Sequence, residues 1–209
     1  MNSNPPADRR PLKTRSTAWA QYLASVLVRA GASPNAISVT SIVFAALGAW
    51  LLVGFASPWT LVGAALCIQL RLLCNMLDGM VAIEGGRKSA TGALYNEIPD
   101  RIGDSLLIVA VGYAAGWLTL GWYGALAAAV TAYIRVLGGA LGQAQDFRGP
   151  MAKPHRMFVA TIGCLLGAIE QAKLGSHWAL TAAIWLVAVG ATITCGTRTW
   201  AIAQRLQSR

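Results

Sequence analysis

The sequence predicts an all-α integral membrane protein, with six transmembrane helices preceded by an N-terminal amphipathic helix lying in the interface. Three observations point to this fold class. Of the 209 residues, 56% are hydrophobic and only 12% charged, against roughly 25% charged in soluble domains, which excludes a water-soluble globule. From Ala30 to Leu70 there is no charged residue at all. Finally, 13 of the 17 Lys and Arg fall near the N-terminus, in two short loops and near the C-terminus. That placement is a topology signal and a lipid-headgroup contact, so the net charge of +9 does not indicate nucleic acid. The length allows one domain, at 16–205, flanked by a flexible basic arm (1–15) and a short tail (206–209).

Taken in order, the arm carries Arg9, Arg10, Lys13 and Arg15. Trp19, Tyr22, Leu23, Val26 and Leu27 then recur at i, i+3, i+4, i+7 and i+8, the stripe of an amphipathic helix too short to span a bilayer. A signal peptide is the rival reading, with Ala30-Gly31-Ala32 imitating a cleavage site, but Arg29 just before it argues against cleavage. About 20 apolar residues cross a bilayer, so the uncharged run opens two spans, 36–55 and 59–83, broken near Ser57-Pro58. Further spans are expected at 92–116, 121–142, 156–172 and 177–200. The basic loops at 84–91 and 143–156 share a side with both termini, whereas the opposite loops carry only Lys173. The positive-inside rule places both termini in the cytoplasm, with a bacterial inner membrane as the expected location. Cys67, Cys74, Cys164 and Cys195 lie in apolar stretches without metal-ligand spacing and read as small core residues.

Five of the eight acids fall between positions 78 and 104: Asp78, Glu84, Glu97, Asp100 and Asp104. Asn75 and Asp78 share a face at the cytoplasmic end of the second span, and Asn96, Asp100 and Asp104 line one face of the third. Because a short loop joins these two helices, they are expected to pack together, with their oxygen-bearing faces meeting in a pocket open to the cytoplasm. Clustered carboxylate and amide oxygens suit a hard cation such as Mg²⁺ or Mn²⁺, which in turn gathers phosphate oxygens. Gly79 and Gly92 permit close backbone approach to a phosphate or a partner helix. The competing reading is a buried salt-bridge network in which Arg71, Arg101 and the acids neutralise one another.

These residues resemble the CDP-alcohol phosphotransferases (CDP-alcohol phosphatidyltransferases), membrane enzymes of phospholipid synthesis. The family signature is D-x-x-D-G-x-x-A-R, eight residues, then G-x-x-x-D-x-x-x-D. Here Asn75 stands at the first Asp, Asp78-Gly79 at the next pair and Ala82 at the Ala. Ile83 replaces the Arg, eight residues follow, and Gly92, Asn96 and Asp100 complete the register. Upstream, Ser33-Pro34-Asn35-Ala36-Ile37-Ser38 is similar to the stretch that opens the first span in many members. The resemblance implies transfer of a phosphoalcohol group from a CDP-alcohol, expected to be CDP-diacylglycerol, to an acceptor alcohol with release of CMP. It further implies a two-metal centre at the positions of Asn75, Asp78, Asn96 and Asp100, with Asp100 as the base, and a homodimer.

The chain departs from the signature at Asn75, Asn96 and Ile83, marking a divergent subgroup. The two amides keep an oxygen but no charge, and Ile83 cannot grip a diphosphate. Arg71, one turn before Asn75, and the loop cations Arg87 and Lys88 are the candidates to replace the missing Arg. For the acceptor, Arg135 late in the fourth span, then Lys153 and Arg156, present cations on the same cytoplasmic side. The alternative function is a non-catalytic lipid- or nucleotide-binding relative that lost its metal with the two acids.

Overall fold

A computed structural model of the chain describes residues 13–54, 57–86 and 90–208. Most of the expected basic arm, together with Arg87 and Lys88, lies outside the described residues. A 3-10 turn at Lys13–Ser16 precedes seven helices: α1 (Ala18–Arg29), α2 (Pro34–Gly54), α3 (Pro58–Glu84), α4 (Gly92–Ala114), α5 (Leu118–Ala140), α6 (Lys153–Leu174) and α7 (Trp178–Gln207). Five of them, α2, α3, α5, α6 and α7, are long and apolar enough to cross a membrane. The third expected span, α4, is not in that set. Its 23 residues carry Glu97, Asp100, Arg101 and Asp104 in one half.

The ends of the helices follow local chemistry. Ser57 caps α3, accepting from the Thr60 amide while Thr60 Oγ1 accepts from the Ser57 amide, and Pro58 takes the first helical position, where no amide partner is needed. The Glu170 carboxylate accepts from the amides of Trp178 and Ala179, both at 2.8 Å, satisfying donors left open at the start of α7. At the other end, α7 runs through Gln207 rather than stopping near 200, so residues expected as a tail are helical. The helix continues because its late cations are paired: Arg198 donates to the carbonyls of Arg148 and Thr131, both at 2.8 Å, and Arg205 to Asp146 at 2.9 Å.

Helices α2 to α7 close into a ring. α2 packs on α3 and α4, α3 on α6, α6 on α7, α7 on α5, and α5 on α4, while α1 leans on α3. The expected direct packing of α3 on α4 is corrected by this order. Those two helices meet only sparingly and share α2 as their main neighbour. They meet through polar side chains, Arg71 and Asn75 of α3 reaching Asp100 and Asp104 of α4, with a cavity beside them. The apolar core lies deeper, where Ile68, Leu107, Ile108, Met157, Cys164, Leu180 and Ile184 are buried. The outer faces remain apolar and exposed (Val43, Trp50, Leu126, Leu186, Ile193), as lipid contact requires. With no hydrophobic drive between helices in lipid, close approach depends on small residues. A Cβ on Gly112 would sit 2.5 Å from Gly121 Cα, so only glycine lets α4 and α5 cross there.

The stripe expected to bury one face of α1 is divided. Leu23 and Leu27 pack with Ala20 and Ala24 against Met76, Leu77 and Met80 of α3, while Trp19, Tyr22 and Val26 stay exposed. Ala20 and Ala24 are fully buried at the contact. The aromatic half is free for the membrane interface.

Candidate active site

The floor of the cavity is ionic. Asp104, 3% exposed, stands between two guanidiniums that are themselves buried. Arg71 Nη2 lies 2.7 Å from its Oδ1, and Arg156 Nη2 donates to its Oδ2 at 2.8 Å. Arg71 also donates to the Asp100 carbonyl at 3.1 Å and points Nη1 at Met157 Sδ. Arg156 donates to the Met151 carbonyl at 2.8 Å and to Thr131 Oγ1 at 3.3 Å. Buried charges persist only when paired in this way. Gly103 makes room for the network, since a Cβ there would lie 2.6 Å from Arg71 Nε. Gly103→Ala is therefore expected to displace Arg71 and cost about 1–3 kcal/mol as an overpacked core does. Thermal unfolding in detergent checks this, and an unchanged midpoint would remove Gly103 from the argument.

Above the floor opens a cavity of about 520 Å³. It gathers Asn75, Asp78, Gly79 and Ala82 from α3, Gly92, Asn96 and Asp100 from α4, Arg135 from α5, and Lys153 and Arg156 from α6. Arg71 is the exception among the described candidates. It is fully buried, and its charged end is engaged by Asp104 and Asp100, so it is a strut beneath the site rather than a phosphate ligand. The helix repeat explains this: each turn back along α3 from Asp78 descends about 5.4 Å, and two turns bring Arg71 to the floor.

Within the cavity, Asp78 is fixed by Ser38, whose Oγ donates to its Oδ2 at 2.6 Å. Asn75 Nδ2 donates to Asp100 Oδ1 at 2.7 Å, and Lys153 Nζ lies 2.5 Å from the same oxygen. Glu97 faces Arg135 at 2.5 Å and also pairs with Arg101, while Arg135 donates to Gln145. Lining residues not singled out as site residues in the sequence include Ser38, Arg198 and Arg15. The Pro34–Ser38 stretch that resembles the family opening was the available signal for Ser38. Nothing in the spacing marks Arg198, which reads as an end-of-span charge.

The donor set can be tested against the metal that the resemblance implies. Asp78, Asp100, Asn75 and Asn96 all line this cavity and offer hard oxygen atoms. Among the described residues, however, no cluster of three or more His, Cys, Asp or Glu is assembled. The oxygen donors fit a divalent ion, with two carboxylates to carry its charge.

Comparison with known proteins gives the family and the fold. Residues 32–194 match the family model described as CDP-alcohol phosphatidyltransferase. The phosphatidylinositol phosphate synthase of Mycobacteroides abscessus is 25% identical over 86% of this chain and 81% of its own length. The archaetidylinositol phosphate synthase of Aeropyrum pernix is 33% identical over 81% of this chain and 86% of its own. Among solved structures, the fold is similar to the phosphatidylinositol phosphate synthase of Mycobacterium tuberculosis with CDP-DAG bound. The TM-score is 0.74 at 23% identity, over 89% of this chain and 94% of that one. The same enzyme in complex with manganese and citrate gives a TM-score of 0.73 at 23% identity, over 88% of each chain. With a family model spanning most of the helical ring and all of the cavity's signature positions, the chain belongs to the CDP-alcohol phosphatidyltransferase family.

Proposed function

We propose that this enzyme transfers the phosphatidyl group of CDP-diacylglycerol to a phosphorylated polyol, inositol phosphate first among them, and releases CMP. The observation that supports this reading is the charge of the cavity wall. Six cationic side chains (Arg15, Arg101, Arg135, Lys153, Arg156, Arg198) face three carboxylates (Asp78, Glu97, Asp100). A wall with that surplus favours two anionic reactants at once, a diphosphate donor and an acceptor that is itself a phosphate ester. The names of the relatives, inositol phosphate lipid synthases from bacteria and an archaeon, point to the same acceptor.

In this reading, Asp100 takes the proton of the acceptor hydroxyl. The new bond forms from that oxygen to the phosphatidyl phosphorus as the bond to CMP breaks. A divalent cation held by Asp78 with the Asn75 and Asn96 oxygens supplies charge for the diphosphate. Gly79 and Gly92 leave the backbone open at the cavity wall. The charged half of α4 is compatible with a sixth crossing, because Asp100 and Asp104 are buried and Glu97 is paired rather than lipid-facing. With α1 in the interface, the cavity then opens to the cytoplasmic side of a bacterial inner membrane, and the resemblance adds a homodimer.

The test supplies purified protein with CDP-diacylglycerol, Mn²⁺ and equal concentrations of inositol phosphate, glycerol phosphate, free inositol and serine. Mass spectrometry then reads the lipids formed. The expected product carries inositol phosphate. Preference for serine or for unphosphorylated inositol would overturn the acceptor assignment.

A further inference from the structure

Asp100 is the residue on which the family's chemistry converges, yet its Oδ1 is already attended by three nitrogen donors. Lys153 Nζ lies at 2.5 Å, Asn75 Nδ2 at 2.7 Å and Arg71 Nη2 at 3.4 Å. Lys153 reaches it from the first residue of α6, at the end of the irregular segment that follows α5. Its side chain is only partly exposed, so the ammonium is committed to the cavity rather than to the lipid headgroups.

Charge and position suggest what this ammonium does. The signature positions that carry four carboxylates in the family carry two here, Asp78 and Asp100, with amides at Asn75 and Asn96. The absence of two negative charges and the presence of a positive one on a remaining carboxylate both disfavour a second divalent ion. We propose that Lys153 is a resident monovalent cation of the centre, neutralising Asp100 in the place of a second divalent ion, so that the free protein holds one divalent cation, on the Asp78 side. Asn75 belongs to the same device: its amide hydrogen can bond Asp100 alongside the ammonium, where an aspartate would add a charge and repel that carboxylate. The proposal rests on the transferase reading for the presence of a metal, but not for the identity of the acceptor.

Mn²⁺ binding to the detergent-purified full chain, followed by electron paramagnetic resonance without nucleotide or acceptor, tests this directly. The native chain should bind one Mn²⁺. Lys153→Met should bind a second, or bind the first at least ~10-fold more tightly, as when a charge beside a metal centre is removed, whereas Lys153→Arg should behave as the native chain does. Lys153→Gln serves if the methionine variant does not fold. Two ions or none in the native chain, or unchanged binding on loss of the ammonium, would overturn the proposal. A native chain that binds one Mn²⁺ with this dependence on Lys153 but makes no lipid product from any acceptor would refute the transferase reading and leave the proposal standing.

Discussion

Asp104→Ala is expected to destabilise the protein by about 3–5 kcal/mol, the cost of breaking a buried ion pair from one side. Arg71 and Arg156 are 0% and 2% exposed, so neither guanidinium can recover its charge balance from water. Of its carboxylate partners Arg71 would keep only Asp100, at 3.4 Å, and Arg156 would keep none. Asp104→Asn should fall between the two, since its amide oxygen still accepts one hydrogen bond while the charge is lost. Thermal unfolding in detergent micelles measures both. A midpoint for Asp104→Ala indistinguishable from the native one would show that the triad contributes nothing to holding the ring together.

The second large effect is on turnover. Asp100→Asn should lower kcat by at least ~10²-fold, the low end for loss of a general base. The side chain is nearly isosteric, and Asn75 and Lys153 can still bond its amide oxygen, so the fold is expected to persist. Two readouts separate the chemical role from a structural one. If Asp100 acts only by anchoring Lys153, the variant loses thermal stability while turnover per folded molecule survives. If it takes the proton, the midpoint changes little and kcat falls with KM for the CDP-alcohol nearly unchanged. Near-native turnover would remove Asp100 from the chemistry.

The helices were legible in the sequence because a membrane imposes one strong rule, that a span be apolar for its whole length. Runs such as Ala36–Gly54 and Trp59–Leu70 satisfy it without ambiguity. The signature spacing likewise brought Asn75, Asp78, Asn96 and Asp100 to one cavity, since a helical repeat of 3.6 residues fixes which side chains share a face. What hydropathy does not encode is the order of helices around the ring. The contacts of α3 with α6 and of α5 with α7 are set by side-chain fit between segments far apart in the chain. That is why α3 and α4 were expected to pack along their length and instead meet only sparingly. Depth along a helix was misjudged for a related reason: Arg71 shares a face with Asp78, but sharing a face does not say which residue stands at the mouth and which at the floor. The late charges of α7 hid their role because Arg198 and Arg205 find partners in the segment after α5, and a charge paired within the protein looks in sequence like a charge in water.

The ring is built from three sequential hairpins, α2–α3, α4–α5 and α6–α7, and the ionic floor takes one member from each: Arg71, Asp104 and Arg156. This arrangement bears on biogenesis. Each hairpin carries a charge it cannot neutralise from within the triad, and an unpaired Arg or Asp costs up to roughly 2.5–3.5 kcal/mol at the centre of a membrane helix and less near its end, where Arg156 stands. The first two hairpins relieve part of this strain on docking, but Arg156 arrives only with the last. The nascent chain therefore has no comfortable resting state short of completion. Docking of the final hairpin closes the charge balance and, in the same event, delivers Lys153 to Asp100. A chain without α6 and α7 would leave Asp104 without Arg156 and Asp100 without Lys153, and the cavity without one of its walls.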